Sequence, residues 1–377
     1  MKQNKFFILT TIPISLNFFK RQISEINSFS DVTLISSNDE ILEKIAEREG
    51  VKYKAINMKR NISLINDFNS LVKLYLFFLK EKPKVIHCNT PKASLLGLLA
   101  GFMSGVPVRI YFVHGLRYEG ASGFVKKILI LMEKISCLCA TNIIAVSLGV
   151  RKELNAAITA KQIDIIHNGS PNGMFDEEFN LNHYDTDAIR NELKISEDDF
   201  VYGFVGRIVS DKGINELVSS FLKVNDYCKN TKLILVGPYE EDLNPLETKT
   251  LKLINNHPDI LALGFQKDVK KFLSIMNVFV SPSYREGFGL SILEANLMGV
   301  PVIATDISGH SDIIVQNKNG FLIKKKDIDS LNNEMLYVLN NSDILNDMSR
   351  DCIEMSKSRY NHYDVVSKAK DYYKKII

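Results

Sequence analysis

Short apolar runs alternate with longer amphipathic segments along most of the chain. In the first half the apolar runs predict strands at residues 6–12, 32–36, 53–58, 85–89, 109–113, 142–146 and 163–166. Helix-length segments, such as 66–80 and 124–138, lie between several of these strands. Alternation of this kind is typical of βαβ units arranged around a parallel sheet.

The alternation is interrupted at residues 168–199, where turn-forming residues and an acidic stretch follow one another. It then resumes, with predicted strands at 200–205, 233–236, 260–264, 278–281 and 301–304 and predicted helices at 213–224, 290–298 and 329–339. We therefore expect an α/β protein with two Rossmann-like domains that face an interdomain cleft. The predicted domains are residues 1–168 and 169–360, with a linker at 169–199. Residues 361–377 form an amphipathic segment that we expect to pack back on the first domain.

Composition narrows the class of protein. The 377 residues are 45% hydrophobic and 24% charged, which excludes a largely disordered chain. Five Cys without a Cys-x-x-Cys motif indicate a reducing, cytoplasmic compartment. The apolar run near the N-terminus is short and no small-residue cleavage site follows, so it predicts a buried strand rather than a signal peptide. No apolar stretch is long enough to predict a transmembrane helix.

Charge is distributed unevenly along the chain. Residues 1–168 contain 23 Lys and Arg against 13 Asp and Glu, a net charge of +10, and the remainder carries −7. A basic half favours an anionic partner such as a membrane surface or a phosphate-bearing ligand, and an ordinary solvated surface is the alternative. Nucleic acid is not an expected partner, because the basic residues are not interleaved with aromatic ones.

Residues 281–294 combine a strand end, a glycine-containing loop and a helix start. Gly287 and Gly289 allow a ligand to approach the backbone closely, and a helix start offers amide donors to an anion. Glu286 in the loop and Glu294 in the helix are placed to hydrogen-bond different hydroxyls of one sugar-rich ligand. Ordinary surface glutamates beside a capped helix are the alternative interpretation.

A second element, residues 203–213, runs from a strand through Gly206 and Arg207 to Lys212 and Gly213. Two cations at a strand-to-helix switch suit a diphosphate, because Arg can chelate two oxygens while Lys acts as a point charge. The spacing is not that of a Walker loop, and no G-x-G-x-x-G opens the first domain. Two surface cations beside a turn remain the alternative.

Together, and in this order, these two elements resemble the retaining glycosyltransferases of family 4, which have the GT-B fold. The likeness extends over nearly the whole chain, through segments at 143–147, 168–169, 264–269 and 299–305. In the first half, residues 87–93 and 114–119 resemble a subgroup that builds bacterial capsule, O-antigen or other lipid-linked glycans.

The resemblance implies a role for each matching residue. Arg207 and Lys212, which follow Gly206 in the loop, are expected to bind the donor diphosphate. Glu294 is expected to hydrogen-bond the ribose hydroxyls. Glu286 is expected to face the donor sugar, beside the backbone of residues 288–290 (Phe288, Gly289 and Leu290), and Phe265 to border the base. His114 is expected to point toward the sugar, although a histidine at a strand end is often purely structural. Neither a metal nor a cofactor is implied.

The reaction is expected to retain the anomeric configuration. Cations on the departing diphosphate stabilise the negative charge that grows in the transition state. The acceptor hydroxyl then arrives on the face of the leaving group, whose phosphate oxygen acts as the base. Glu286 as a covalent nucleophile is a minority interpretation. Two Asp-x-Asp triplets, at 185–187 and 327–329, fall in the polar linker and at a helix start, so helix capping or solvation is expected to explain them rather than metal binding.

The loop after the first strand, which usually faces the acceptor, differs from that of many members of this family. A Gly-Gly loop is common after their first strand, whereas this chain has residues 10–17, Thr-Thr-Ile-Pro-Ile-Ser-Leu-Asn. This difference indicates an unlike acceptor, such as a polyprenyl-diphosphate-linked saccharide, with Asn17, Lys92 and Arg117 as candidate contacts. Residues 124–135 mix Lys with apolar residues, which suits either the inner face of the cell membrane or a core-facing helix with a basic outer side.

The sequence therefore predicts transfer of a sugar from a nucleotide donor, most simply a UDP-sugar such as a UDP-N-acetylhexosamine, to a lipid-linked saccharide. Two alternatives stay open. A nucleotide-sugar 2-epimerase of the same fold would convert the donor with no acceptor present. A non-catalytic subunit of a glycan-assembly complex would not need the two cations and the two glutamates.

Overall fold

The structure, a computed structural model, describes residues 4–59, 61, 63–240 and 244–377. The chain divides into two compact units. The first unit comprises residues 1–173 and 362–377, and the second comprises residues 174–361. The C-terminal segment thus belongs to the first unit. None of the helices in the described ranges combines the length and apolar character needed to cross a membrane.

The first unit is built on a six-stranded parallel sheet. Its strands are β1 Lys5–Leu9, β2 Asp31–Ser36, β3 Lys52–Ala55, β4 Val85–Cys88, β5 Val108–Val113 and β6 Asn142–Ala145. Its α-helices are α1 Gln22–Asn27, α2 Glu40–Glu49, α3 Leu64–Glu81, α4 Pro91–Met103, α5 Gly123–Cys139, α6 Leu148–Ala157 and the C-terminal α15 His362–Ile376. The strands are ordered β3-β2-β1-β4-β5-β6.

The second unit repeats this design. Its strands are β7 Phe200–Val205, β8 Thr231–Val236, β9 Ile260–Gly264, β10 Val278–Ser281, β11 Val302–Thr305 and β12 Gly320–Ile323, in the order β12-β11-β10-β7-β8-β9. Its α-helices are α7 Thr186–Glu192, α8 Ile214–Tyr227, α9 Thr248–Asn256, α10 Lys270–Leu273, α11 Leu290–Leu297, α12 His310–Ile313, α13 Ile328–Asn340 and α14 Ile344–Tyr360. Both sheets have the strand order of a dinucleotide-binding Rossmann fold, so the predicted α/β class with two Rossmann-like sheets is confirmed.

The central strands are buried on both faces, which explains their continuous apolar sequences. Every residue of β7 is buried, and its Tyr202 hydroxyl donates a 2.8 Å hydrogen bond to the carbonyl oxygen of Met335. In the first unit, Phe6, Phe7 and Ile8 of β1 are at most 1% exposed. Cores of this kind hold the strand ends rigidly, and the loops that follow them carry the polar side chains.

Two features of the secondary structure differ from the prediction. The predicted strand at 163–166 is wrong, because Asp164 makes only an isolated parallel bridge to Ile144. The last strand of the second sheet, β12, was not predicted: it contains only three apolar side chains, and polar segments precede and follow it. Both cases involve short runs, for which apolar patterning discriminates poorly between strand and loop.

Candidate active site

The candidate donor site lies where the strand order of the second sheet reverses. β7 and β10 are adjacent and parallel, with Val278 opposite Tyr202 and Phe279 opposite Gly203. The loops that follow them, residues 206–213 and 282–289, therefore leave the sheet at the same edge. In open α/β sheets the crevice beyond the strand carboxyl ends at this reversal is the usual ligand site.

Glycines allow these loops to touch. At Gly213, where φ is 71°, an added Cβ would lie 2.1 Å from the carbonyl oxygen of Pro282. At Gly237, which follows β8, an added Cβ would lie 1.8 Å from the carbonyl oxygen of Gly206. Neither position accepts a side chain without displacing backbone, so glycine is required for the loops to pack this closely.

Lys212 and Glu286 bring opposite charges together across the two loops. The Lys212 ammonium forms a salt bridge with Glu286 Oε1, and the hydroxyl of Ser283 donates to the same oxygen at 3.2 Å. Burial alone would raise the pKa of Glu286, but the positive Lys212, together with His310 and the two hydrogen bonds, holds it below its usual value. Glu286 is therefore ionised at neutral pH, and the side chain of its partner Lys212 is only 17% exposed.

His310 lies close enough to this pair to act on it electrostatically, a neighbour that the sequence patterns did not reveal. Its imidazole is fully buried, with Nδ1 3.0 Å from the carbonyl oxygen of Thr305. Since a carbonyl only accepts, Nδ1 carries the proton. Burial lowers the pKa of His310 to about 4, so the ring is neutral at pH 7. The only signal in the sequence is a histidine soon after an apolar strand, which is a weak one.

Arg207, directly after Gly206, is the second cation at this edge. Its Nη1 lies 2.7 Å from Glu240 Oε2, and its side chain is 38% exposed. Arg207 and Lys212 therefore pair with different carboxylates, one following β8 and one following β10. Each guanidinium or ammonium group retains further donors that an anionic ligand can use.

Helix α11 starts at this edge with Gly289, whose φ is 87°. No side chain caps the helix, and Leu290 and Ser291 contribute first-turn amides that have no acceptor within the helix. Such amides favour an anion. Phe288 is buried against Tyr360, with ring centroids 5.2 Å apart, so its backbone rather than its side chain faces the loop.

Glu294 and Phe265 occupy the remaining predicted donor positions. Glu294 lies in the second turn of α11, and burial raises the pKa of its carboxyl to about 7, an effect that the charge of Lys270 partly opposes. Its carboxyl accepts no hydrogen bond from any residue that the structure describes. Phe265, just after β9, is 71% exposed. The acid and the ring are thus both available to a ligand.

In the first unit, His114 follows β5 and is half-buried among aromatic rings. It stacks on Phe18 with centroids 5.4 Å apart, and the centroid of Phe112 lies at 4.7 Å. Its Nε2 lies 3.1 Å from Asn89 Oδ1. Burial lowers the pKa of His114 to about 3, so the imidazole is neutral at physiological pH.

The loop that replaces the Gly-Gly sequence is held by hydroxyl groups. The Thr11 amide donates to Thr90 Oγ1 at 2.9 Å, and the two hydroxyls are 2.8 Å apart. Thr90 has a φ of 63°, an unfavourable conformation for a β-branched residue. Such strain is maintained only by surrounding contacts, so the loops after β1 and β4 are fixed against each other.

The three candidate acceptor contacts have different surroundings. Asn17 is exposed and accepts a 2.9 Å hydrogen bond from Arg48. Arg117 is exposed in a short 3₁₀ helix after β5. Lys92 is 5% exposed, and its ammonium binds both carboxylate oxygens of Asp67 and the carbonyl of Asn61. These acceptors occupy the ammonium group in this structure, so an acceptor phosphate would have to replace them, and the expected contact of Lys92 with an acceptor stays a prediction.

Helix capping, one of the two expected explanations of the Asp-x-Asp triplets, is confirmed for the first Asp of each. Asp185 accepts from the Ala188 amide at the start of α7, and Asp327 accepts from the Ser330 amide at the start of α13. Within residues 4–59, 61, 63–240 and 244–377, no group of three His, Cys, Asp or Glu side chains is arranged to hold a metal ion.

Comparison with known proteins identifies the family. Residues 185–359 match the family described as Glycosyl transferases group 1, and residues 30–170 match Glycosyltransferase Family 4. The fold is that of HepE from Anabaena in complex with UDP-glucose, with a TM-score of 0.80 at 17% identity over 99% of this chain and 100% of that one.

Two relatives match most of the chain. The capsular polysaccharide biosynthesis glycosyltransferase CapM of Staphylococcus aureus is 36% identical over 91% of this chain and 90% of its own. The UDP-Gal:α-D-GlcNAc-diphosphoundecaprenol α-1,3-galactosyltransferase of Escherichia coli is 31% identical over 83% and 81%. On this similarity, together with the two Rossmann-like sheets, the chain belongs to the glycosyltransferases of the GT-B fold.

Proposed function

We propose that the protein is a retaining, metal-independent glycosyltransferase that moves a sugar from a UDP-sugar to a polyprenyl-diphosphate-linked saccharide during synthesis of a bacterial surface polysaccharide. The observation that carries the proposal is the Lys212–Glu286 pair at the strand reversal of the second sheet, with Arg207 nearby on the loop after β7. The names of both relatives support this class of reaction.

The donor binds to the second unit in this proposal. Its diphosphate replaces the carboxylate partners of Arg207 and Lys212 and takes the free amides at the start of α11. Glu294 accepts hydrogen bonds from the ribose hydroxyls, and Phe265 lies beside the base. Glu286, released from Lys212, is then available to the sugar. A charge-for-charge exchange of this kind needs little reorganisation, because the cations are already held in place.

Sugar transfer then proceeds on one face of the donor. The bond between the anomeric carbon and the diphosphate breaks, and the acceptor oxygen forms its bond to that carbon on the same side. The acceptor proton passes to a diphosphate oxygen, and UDP leaves. Arg207 and Lys212 stabilise the charge that grows on the leaving group, which lowers the barrier more than it stabilises the bound substrate.

The acceptor binds to the first unit, where residues 10–17, His114 and Arg117 follow the strand ends. We propose that the lipid part of the acceptor stays in the inner leaflet of the cell membrane, which α5 contacts. In support, α5 buries Leu129 and Cys137 but leaves Phe124 and Leu138 more than 70% exposed beside three exposed lysines, Lys126, Lys127 and Lys134. Apolar and basic residues exposed together favour an anionic bilayer surface.

The direct test is a turnover assay with a panel of UDP-sugars, UDP-N-acetylhexosamines included, and short lipid-diphosphate-linked saccharides. We expect UDP release only when donor and acceptor are both present, and a product whose anomeric configuration matches that of the donor by NMR. A changed sugar with donor alone identifies an epimerase. No reaction with any pair, although the protein binds UDP, contradicts the proposal and favours a non-catalytic subunit.

Membrane contact is tested by flotation with vesicles that contain phosphatidylglycerol. We expect Phe124→Ser together with Leu138→Ser to reduce binding several-fold, because both side chains are exposed and apolar. Tyr227→Ser, an exposed aromatic of the second unit, is the matched control. Equal binding by all three proteins would remove α5 from the membrane contact.

A further inference from the structure

We propose that Asn89 is a positioning residue that fixes the tautomer of His114, so that Nδ1 of His114 is presented as a hydrogen-bond acceptor for a sugar hydroxyl. The inference rests on the proposed function for its substrate class, but the tautomer itself follows from contacts within the first unit. Nothing in the sequence patterns singled out Asn89.

The orientation of the Asn89 amide is set by its neighbours. The side-chain nitrogen Nδ2 lies 3.2 Å from the carbonyl oxygen of Leu9 and 3.2 Å from that of His87. Carbonyl oxygens accept and cannot donate, so the amide NH₂ must face them. The opposite orientation would place the side-chain oxygen against two carbonyl oxygens inside a buried site, since Asn89 is only 1% exposed.

This orientation determines the protonation of both histidines. Asn89 Oδ1 is an acceptor 3.1 Å from Nε2 of His114, so that nitrogen carries the hydrogen. In the neutral ring, Nδ1 then has the lone pair, and it makes no hydrogen bond to the part of the chain that the structure describes. On the other side, Asn89 Nδ2 lies 3.0 Å from Nδ1 of His87. The amide has two hydrogens and three acceptors around it, so Nδ1 accepts a hydrogen that it shares with one of the two carbonyl oxygens.

The chain of hydrogen bonds is anchored in the C-terminal helix. With Nδ1 of His87 as acceptor, its Nε2 carries the hydrogen and donates it to the Tyr373 hydroxyl at 3.0 Å. His87 is 1% exposed and Tyr373 is fully buried, so this end of the chain is protected from water. A buried network in which each polar group has a partner is rigid, and it specifies one arrangement of its members.

Two further observations support a positioning role. His114 is clamped between rings, with Phe18 stacked on one side and Phe19 edge-on at 5.7 Å, so its plane is fixed. Asn89 directly precedes Thr90, whose φ of 63° is maintained by its hydrogen bonds to Thr11. Strain of this kind, next to a buried polar chain and at a strand carboxyl end, is typical of functional sites.

The consequence concerns the chemistry that His114 recognises. A neutral ring with a lone pair on Nδ1 accepts a hydrogen bond from an O–H group and repels a phosphate oxygen. We therefore assign His114 to a hydroxyl of the substrate rather than to either diphosphate. A sugar in which that hydroxyl is replaced by hydrogen or fluorine leaves the imidazole without its partner.

The tautomer is measured by two-bond ¹⁵N–¹H correlation NMR on protein labelled at histidine, with the His114 signals assigned by their loss in His114→Asn. At pH 7 the wild-type protein should show His114 with the hydrogen on Nε2. In Asn89→Ala, which removes the acceptor, the Nδ1–H form should become detectable. This readout needs no turnover, so it fails or succeeds independently of the proposed function.

The kinetic arm uses Asn155→Ala as a matched control, because Asn155 is exposed on α6. Asn89→Ala should lower kcat about tenfold, the value of one buried hydrogen bond, with a smaller change in the KM of the donor. A wild-type His114 with the hydrogen on Nδ1 would overturn the inference, whether or not the variant folds. So would an Asn89→Ala protein whose tautomer and kcat equal those of Asn155→Ala.

Discussion

The two units have the same strand order but place different chemistry at the point where it reverses. In the second unit the loops after β7 and β10 carry glycines and opposite charges, with Lys212 bound to Glu286. In the first unit the loops after β1 and β4 carry hydroxyls and a neutral amide, with Thr11 bound to Thr90. The same topology thus carries a pair of opposite charges in one unit and neutral hydrogen-bonding groups in the other.

This difference has a physical cause. A diphosphate is bound by cations and free amides, which need backbone without side chains, and the second unit supplies glycines where an added Cβ would touch backbone. Hydroxyl groups of a saccharide are bound by neutral donors and acceptors with fixed directions. In the proposed function the first unit supplies these groups. Burial lowers the pKa of both His87 and His114 to about 3, so both rings are uncharged at neutral pH. Each following prediction alters one unit and leaves the other intact.

The largest expected effect is on the charged site. Lys212→Ala should reduce kcat by about 10²–10³-fold, because one donor to the growing negative charge is lost and Glu286 is left without its partner. Steady-state kinetics with a UDP-sugar measures it. Lys223→Ala is the control, since Lys223 is an exposed lysine of α8 paired with Asp329. Equal rates for the two variants would remove Lys212 from the reaction.

The first unit contains a buried acid, Glu133, whose ionisation should change the free energy of unfolding rather than the reaction rate. Glu133 of α5 is 5% exposed and is hydrogen-bonded by Tyr111, and burial raises its pKa to about 7. A pKa raised above the unfolded value means that the folded protein binds the extra proton. Stability should therefore fall as pH rises from about 4.5 to about 7, by about 3 kcal/mol in total. Denaturant unfolding of wild type and Glu133→Gln at several pH values measures the difference, which should shrink in the variant.

Glycine substitutions compare loop packing in the two units. In Gly237→Ala the added Cβ would lie 1.8 Å from the carbonyl oxygen of Gly206. The substitution should lower the free energy of unfolding by about 2 kcal/mol or more and displace Gly206 and Arg207. Gly50 in the first unit has a φ of 66°, but an added Cβ would meet no atom within 4 Å. Gly50→Ala should therefore lower the free energy of unfolding by only about 1 kcal/mol. Thermal unfolding ranks the two. A smaller loss for Gly237→Ala would contradict the proposed need for contact between the loops after β7 and β8.

The smallest expected effect is on donor affinity through Glu294. Hydrogen bonds from ribose hydroxyls favour the carboxylate, and the pKa near 7 means that much of the free protein must lose a proton to bind. Affinity for a UDP-sugar should therefore rise about tenfold from pH 6 to pH 8. Isothermal titration calorimetry measures this, and Glu294→Gln should abolish the rise. A wild-type affinity that is independent of pH would argue against Glu294 as the ribose ligand.

Much of the fold was predictable because long apolar strands alternate with amphipathic helices. The strands around Val85, Phe200 and Val278 were all found, and their carboxyl ends mark both sites. β12 was missed, since its three apolar side chains stand between polar segments and carry little periodic signal. Glu286 and Lys212 were predicted as site residues from a loop pattern, and the structure brings them together as a direct pair.

Other features depend on contacts between distant parts of the chain. Asn89 is separated from His114 by 25 positions, and His87 from Tyr373 by 286, so no local pattern reveals their hydrogen bonds. The same reasoning explains Lys92: its sequence position suggested a loop cation, whereas its partner Asp67 on α3 keeps it buried. Asp67 and Lys92 are 25 positions apart, so no local pattern reveals this ion pair or the burial that goes with it.

In the proposed function the second unit binds the donor through its diphosphate, and a crystal structure with an intact UDP-sugar is the decisive test. We expect diphosphate oxygens within about 3 Å of both Arg207 and Lys212, with the Lys212–Glu286 contact opened and the Glu294 carboxylate on the ribose. A nucleotide bound elsewhere, or bound here while Arg207 and Lys212 keep their present carboxylate partners, would contradict it.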